Sequence, residues 1–190
     1  IERRLRITRG ILEVLDRFEH PVSLVTKSAL VTRDIDILAG MAARGLAAVA
    51  LTVTTLDREL SRRLEPRAAP PANPPRALPV GVSLAPVIPG LNDSEIERIL
   101  EACAAAGACS ASYVLLRLPL EIKELFAEWL AAHAPARAGR IMSLVRQTRA
   151  GALYRGGVGE RGGGSGPYAD PIRRRFRAAR RRHRLGRRGP

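Results

Sequence analysis

Ala47-Ala48-Val49-Ala50-Leu51-Thr52-Val53-Thr54-Thr55 is an almost unbroken apolar run that closes on small hydroxyl residues. Three other stretches share the pattern: Pro21-Val22-Ser23-Leu24-Val25-Thr26-Lys27-Ser28, Val80-Gly81-Val82-Ser83-Leu84-Ala85-Pro86, and ASYVLLRL over 111–118. Runs of this kind suit strands buried on both faces of a parallel sheet. In barrel-like α/β folds, chemistry gathers where such strands end. Thr26-Lys27-Ser28, Thr52 to Thr55, Pro86 to Asn92 and Arg117 are therefore expected on one rim.

Helical patterns separate the runs. Residues 2–19 read as a helix with Leu5, Leu12, Leu15 and Phe18 on a loose apolar face, and Pro21 ends it. A second helix is expected over 33–44, with Ile35, Leu38, Met41 and Ala42 on one side and Gly45 as its stop. A short helix at 56–65 is closed by Pro66. Residues 66–79 contain six prolines and read as an irregular or extended linker. Over 93–106, Ser94 and Glu97 have capping-box spacing, Ile96, Ile99, Leu100 and Cys103 make a face, and Gly107 terminates the helix. Further helices are expected at 120–132 and 137–148. Residues 151–166 are glycine-rich and read as mobile. A basic helix follows at 169–184, with Ile172, Phe176 and Ala179 inward. The βα alternation implies a parallel sheet with right-handed crossovers. Four units do not close a barrel, so the expected fold is α/β with an open sheet of about four strands and a basic helical C-terminal tail. The division is 1–150 for the α/β body and 151–190 for the glycine-rich segment and tail.

Composition narrows the class. The 190 residues are 46% apolar, enough for one sizeable core. No apolar run reaches membrane-spanning length. Ile1-Glu2-Arg3-Arg4 does not open a signal peptide. The lack of an initiating Met suggests a fragment or an incomplete gene start. Cys103 and Cys109 fit no metal-ligand spacing and read as small packing residues. His20, His133 and His183 are scattered, so no metal site and no catalytic constellation is assigned. The glycines of 156–166 lack the Lys-Ser/Thr pair of a phosphate loop. A cytoplasmic protein without a membrane partner is expected. The net charge is +14, but residues 171–190 hold ten Arg and no acid, which leaves 22 basic and 18 acidic residues in the body. Arg-for-Lys bias of this kind also arises from genome composition, which weakens charge as evidence about partners.

Several segments carry a resemblance when read together: IERRLRITRGILEVL, HPVSLVTKSALVTRDIDIL, VALTVTTLDRELSRRLEPRAA, APVIPGLNDSEIERIL, YVLLRLPLEIKELFAEWL and GPYADPIRRRF. Their order and spacing resemble the radical S-adenosylmethionine superfamily, in the branch related to spore photoproduct lyase. The resemblance runs from residue 1 to about 180. It implies a partial TIM-like (β/α) barrel, a [4Fe-4S] cluster held by three cysteines in CxxxCxxC, and S-adenosylmethionine on the unique iron. Reductive cleavage there yields a 5′-deoxyadenosyl radical that abstracts hydrogen. This sequence has no CxxxCxxC, so the resemblance implies the back part of a barrel without its reactive centre. Two departures, the proline-rich 70–79 where relatives carry a crossover helix and the loose 156–166, together with the missing start, suggest a truncated or decayed gene product, inactive alone.

By resemblance, Lys27 in VTKS contacts the carboxylate of S-adenosylmethionine; a solvated loop lysine is the plain alternative. Thr52 and Thr54 match a strand that contacts the ribose or methionine, although relatives have Ser at the first position. Ordinary β-propensity explains them equally well. The backbone of 85–93 would line the adenine, with Gly90 making a tight turn and Asn92 or Asp93 capping the helix. Glu65 and Arg67 match a family signature, with no role beyond a possible ion pair. Arg117 faces a substrate or a phosphate, or makes an outward pair. The competing reading is a non-catalytic module that binds DNA or RNA through the Arg-rich tail. The two are compatible, because spore photoproduct lyase repairs DNA. The substrate is not legible.

Overall fold

The computed structural model describes residues 1–66, 78–149, 151 and 162–186. Four strands form one open parallel sheet in chain order: β1 (Val22–Thr26), β2 (Ala47–Val53), β3 (Val80–Val87) and β4 (Ser110–Leu115). This is the α/β architecture expected from the four apolar runs. The helices are α1 (Glu2–Leu5), α2 (Ile7–Arg17), α3 (Ile35–Ala43), α4 (Arg58–Leu64), α5 (Ile96–Ala105), α6 (Ile122–His133), α7 (Ala138–Gln147) and α8 (Ala169–Arg182).

Register assigns the two faces of the sheet. Val49, Leu51 and Val53 of β2 stand beside Val80, Val82 and Leu84 of β3. Strand side chains alternate, so these share a face with Val22 and Leu24 on one side and Ala111 on the other. Every strand residue in the described core clusters belongs to that face. Leu12 and Leu38 cover its β1–β2 half, and Ile96, Ile99 and Leu100 of α5 cover its β3–β4 half. A third cluster, with Ile88, Leu118, Leu130, Ile141 and Val145, packs α6 and α7 beyond the strand ends. Apart from Val25 and Val114, the opposite face carries small and polar residues: Ser23, Ala48, Ala50, Thr52, Gly81, Ser83, Ser110 and Ser112. A Cβ on Gly81 would stand 2.6 Å from the Ser110 hydroxyl, which confirms that the two share this side.

The first helix is two pieces rather than one. Arg6 sits at φ 50, in the left-handed region, and separates α1 from α2. Of the expected apolar face only Leu12 is buried; Leu5 and Phe18 are exposed. The expected helix at 33–44 begins as a 3₁₀ turn at Ala29–Asp34, which the Ser28 hydroxyl caps by accepting from Leu30 N–H. The capping box expected at 93–106 does not form. Asp93–Glu95 is a 3₁₀ turn, and the Glu97 carboxylate is taken by Arg175 of α8 through two hydrogen bonds of 2.8 and 2.6 Å. That guanidinium holds the Glu97 carboxyl below its usual range. The linker at 67–77 and the glycines at 152–161 lie outside the described residues.

The basic helix is part of the core. Ala169, Ile172, Phe176 and Ala179 are buried in the cluster that contains Leu84 and Leu100, and the Phe176 ring lies 4.6 Å from that of Tyr113. The inward residues are those the sequence indicated, but they dock on β4 and α5 rather than forming a free tail. Gly164, at φ +68, lets the chain pass under Thr148 before α8 starts; a Cβ there would stand 2.4 Å from the Thr148 carbonyl. The docking is testable. Phe176→Ala should destabilise the protein by about 3–5 kcal/mol, read from chemical denaturation, because it empties a buried aromatic site. A loss near zero would mean that α8 is not part of the cooperative core.

Candidate functional site

Parallel strands end on one edge, and that edge gathers the polar residues. Lys27 follows β1, Thr54 follows β2, and Ala85 lies near the end of β3. The Lys27 ammonium donates to the Thr54 hydroxyl at 2.8 Å, to the Ala85 carbonyl at 3.0 Å, and to the Glu65 carboxylate. Thr54 also contacts Glu65 and lies 2.9 Å from the Ala85 carbonyl. Thr54 is 7% exposed, whereas the Lys27 side chain is 38% exposed and that of Glu65 is 18%. The result is a cation, a carboxylate and a hydroxyl held together across three strand ends, open on the ammonium side.

The sequence explains this placement locally. Asp57 caps α4 by accepting from Glu59 N–H at 2.7 Å and Leu60 N–H at 3.1 Å. The helix runs only to Leu64, and Pro66 forbids continuation. Glu65 is thereby returned to the rim eight residues after the cap. Behind the cluster, buried Asn92 fastens the loop after β3. Its amide donates to the Thr54 carbonyl at 2.8 Å and the Pro86 carbonyl at 3.0 Å, and its oxygen accepts from Ile88 N–H at 2.6 Å. Gly90, at φ +74, makes the expected tight turn, and Asp93 accepts from Gly90 N–H at 2.8 Å. Asn92 and Asp93 therefore tie the loop rather than cap α5. Glu95 accepts from the Thr55 hydroxyl at 2.6 Å and Leu56 N–H at 2.8 Å, which fixes the end of β2 to the start of α5.

Of the four residues expected at the site, Lys27 and Thr54 meet directly. Thr52 stands beside Ser83, which stands beside Ser112, so three hydroxyls cross the sheet in one row on the face that enters no core cluster. Arg117 follows β4 on the same edge, exposed, and is not joined to the Lys27 cluster. Glu65 takes a larger part than its sequence reading gave it: its partners are Lys27 and Thr54, while Arg67 lies outside the described residues. The Ala85 carbonyl could not be read from sequence, because any residue supplies one.

The cysteines do not fit a [4Fe-4S] cluster. Cys103 is half-buried on α5, where burial pushes its thiol up to about 11. Cys109 donates to the Val80 carbonyl at 3.4 Å, at the sheet edge opposite the Lys27 rim. Among the described residues no three His, Cys, Asp or Glu side chains form a metal-binding group.

Comparison with known proteins gives distant relatives. Uncharacterized proteins of Mycobacterium bovis and of two Mycobacterium tuberculosis strains are each 31% identical over 156 residues, covering 77% of this chain and 46% of theirs. The chain thus spans about half the length of the curated relatives it matches. No family model matches, and no solved structure matches. No described helix is long and apolar enough to cross a membrane.

A cluster of this type takes thiolate ligands, three of them from the protein in the family resembled. Anaerobic reconstitution of the chain with iron and sulfide should therefore leave well under one [4Fe-4S] per chain. A stoichiometric cluster with its visible charge-transfer band would overturn this reading of Cys103 and Cys109.

Proposed function

We propose that this chain is the S-adenosylmethionine-facing part of a radical S-adenosylmethionine partial barrel, in the branch related to spore photoproduct lyase. The observation that carries the reading is the Lys27–Thr54–Glu65 cluster. Three residues singled out by resemblance, from separate stretches of sequence, meet in one hydrogen-bonded group at a strand-end rim. Their chemistry suits the amino-acid end of S-adenosylmethionine, which is a zwitterion. The Lys27 ammonium takes the carboxylate, the Glu65 carboxylate takes the amino group, and the Thr54 hydroxyl turns to whichever neighbour needs a donor. A partly exposed ion pair is worth only about 0–1 kcal/mol, so a ligand that offers both charges can replace it. Thr52, Ser83 and Ser112 line the path from this point across the sheet, and Arg117 is assigned to the substrate side of the same rim. Because the two cysteines do not fit the cluster, the reading covers binding and assigns no chemical step to this chain. The substrate class is left at nucleic acid by resemblance, and the compartment is the cytoplasm, in keeping with two unpaired cysteines.

Calorimetric titration with S-adenosylmethionine tests the cluster. Lys27→Ala and Glu65→Gln should each weaken binding about tenfold or more, the expected loss for a hydrogen bond to a charged group. Thr54→Val should cost less. Equal affinity in all three variants, or no binding to the unmodified chain, would refute the assignment.

A second reading, nucleic-acid binding through the basic helix, is favoured by one specific observation. Arg173 and Arg175 are tied to Asp170 and Glu97, whereas Arg174, Arg177, Arg181 and Arg184 are exposed on α8 and the turn after it. Arg174, Arg177 and Arg181, spaced by three and four residues, share one helical face, and Arg184 follows in the turn after the helix. Phosphate neutralisation by such a face is non-specific and salt-dependent. Deleting the helix would remove Phe176 and Ile172 from the core, so charge removal is the proper test. Converting Arg174, Arg177, Arg181 and Arg184 to Gln should abolish most DNA affinity and flatten its salt dependence. Undiminished binding would make the helix a bystander.

A further inference from the structure

A cleft of about 550 Å³ lies between α4, the turn before α5, and the C-terminal half of α6, and no member of the Lys27 cluster lines it. Trp129 stands in its wall. The indole N–H donates to the Arg63 carbonyl at 3.1 Å, and the ring lies nearly parallel to Phe126 at 6.0 Å. The His133 ring meets it at 4.9 Å. This aromatic group is thus fixed in place before any ligand arrives, with its one polar atom already satisfied.

The charges of the cleft are unevenly engaged. Its three carboxylates are all held by neighbours: Asp57 by the backbone N–H groups of Glu59 and Leu60, Glu95 by Thr55 and Leu56, and Glu59 by Arg63. Arg98 and Arg137 also line the cleft, and among the described residues they make no ion pair. Beside the Ser94 hydroxyl and the His133 ring, the charged donors left for a ligand are therefore two guanidiniums, groups whose planar fork matches phosphate oxygens. A phosphate alone would leave Trp129 and most of the volume unused. The size falls within the range of about 300–1,000 Å³ typical of small-molecule and cofactor pockets. Aromatic side chains stack on any base, because every base has a π-face.

We propose that this cleft binds a nucleotide unit, with its base against Trp129 and its phosphate on Arg98 and Arg137. The unit is either a free mononucleotide or one residue of a single strand. The proposal does not rest on S-adenosylmethionine binding, since the two sites share no residue.

Trp129 is the only tryptophan of the sequence, so its fluorescence reports this cleft alone. The chain would be titrated with adenosine 5′-monophosphate, adenosine, inorganic phosphate and a single-stranded deoxyadenylate hexamer. A saturable change with the monophosphate or the hexamer, at least about tenfold tighter than with adenosine or phosphate, is expected when both halves of the site contribute. The tighter of the two identifies the source. The double variant Arg98→Gln, Arg137→Gln should weaken that binding about tenfold or more, since each guanidinium supplies charge-assisted hydrogen bonds. Both residues are exposed, and an unchanged thermal melt would show that the fold is intact. No saturable signal, equal affinity for adenosine or phosphate, or an unaffected double variant would each overturn the proposal.

Discussion

Val49, Leu51 and Val53 stand in register with Val80, Val82 and Leu84, and this pairing decides which side of the sheet is dry. A slip of one residue in β3 would bring Gly81, Ser83 and Ala85 onto the helix-covered face and expose three large apolar side chains. The cost would be several kcal/mol, at about 1.5–3 kcal/mol for each Val or Leu returned to water. The same register sets Thr52 beside Ser83 and Ser83 beside Ser112 on the opposite face. The polar row is thus a consequence of how the core is packed. A sheet with large apolar residues on both faces would have no such row.

The rim depends on the sheet in turn. Four parallel strands bring four chain reversals to one edge, where backbone groups after each strand lose their ladder partners. Asn92 and Glu95 supply part of what is lost, binding the Thr54 carbonyl, the Pro86 carbonyl, Ile88 N–H and Leu56 N–H. The Lys27 ammonium does the same for the Ala85 carbonyl. Loops fixed in this way hold Lys27, Thr54 and Glu65 at hydrogen-bond distance without help from a ligand. On the same face as α5, α8 seals the β3–β4 half with Ile172 and Phe176. Its arginines therefore belong to a rigid surface, with only the outward ones available to a partner.

Where one physical cause dominated, the sequence was readable. The bounds of β2 follow from an almost unbroken apolar run and the inward residues of α8 from apolar spacing, and both reflect burial directly. Readings that rested on a local rule fared worse where a distant partner competed. Ser94 and Glu97 have the spacing of a capping box, but Arg175, seventy-eight residues further on, takes the Glu97 carboxylate. Residues 2–19 have an apolar pattern fit for one helix, yet the chain turns at Arg6 and leaves Phe18 outside the core. At the site, Lys27 and Thr54 were legible because each ends a strand. The role of Glu65 was not, because its contact with Lys27 spans thirty-eight residues and depends on where α4 stops.

That short helix is also the physical link between the rim and the neighbouring cleft. Within seven residues, α4 carries Arg63 on the cleft wall and ends against Glu65 in the Lys27 cluster. Glu65 N–H still donates to the Ser61 carbonyl at 2.8 Å, so the acid is an extension of the helix rather than part of a loose loop. At its other end the Asp57 side chain caps the helix, and just before it Glu95 fastens Thr55 and Leu56 to the start of α5. Arg63 and Glu65 therefore stand two residues apart at one end of the same short helix, the first on the cleft wall and the second against the Lys27 ammonium, so the point where α4 stops positions both.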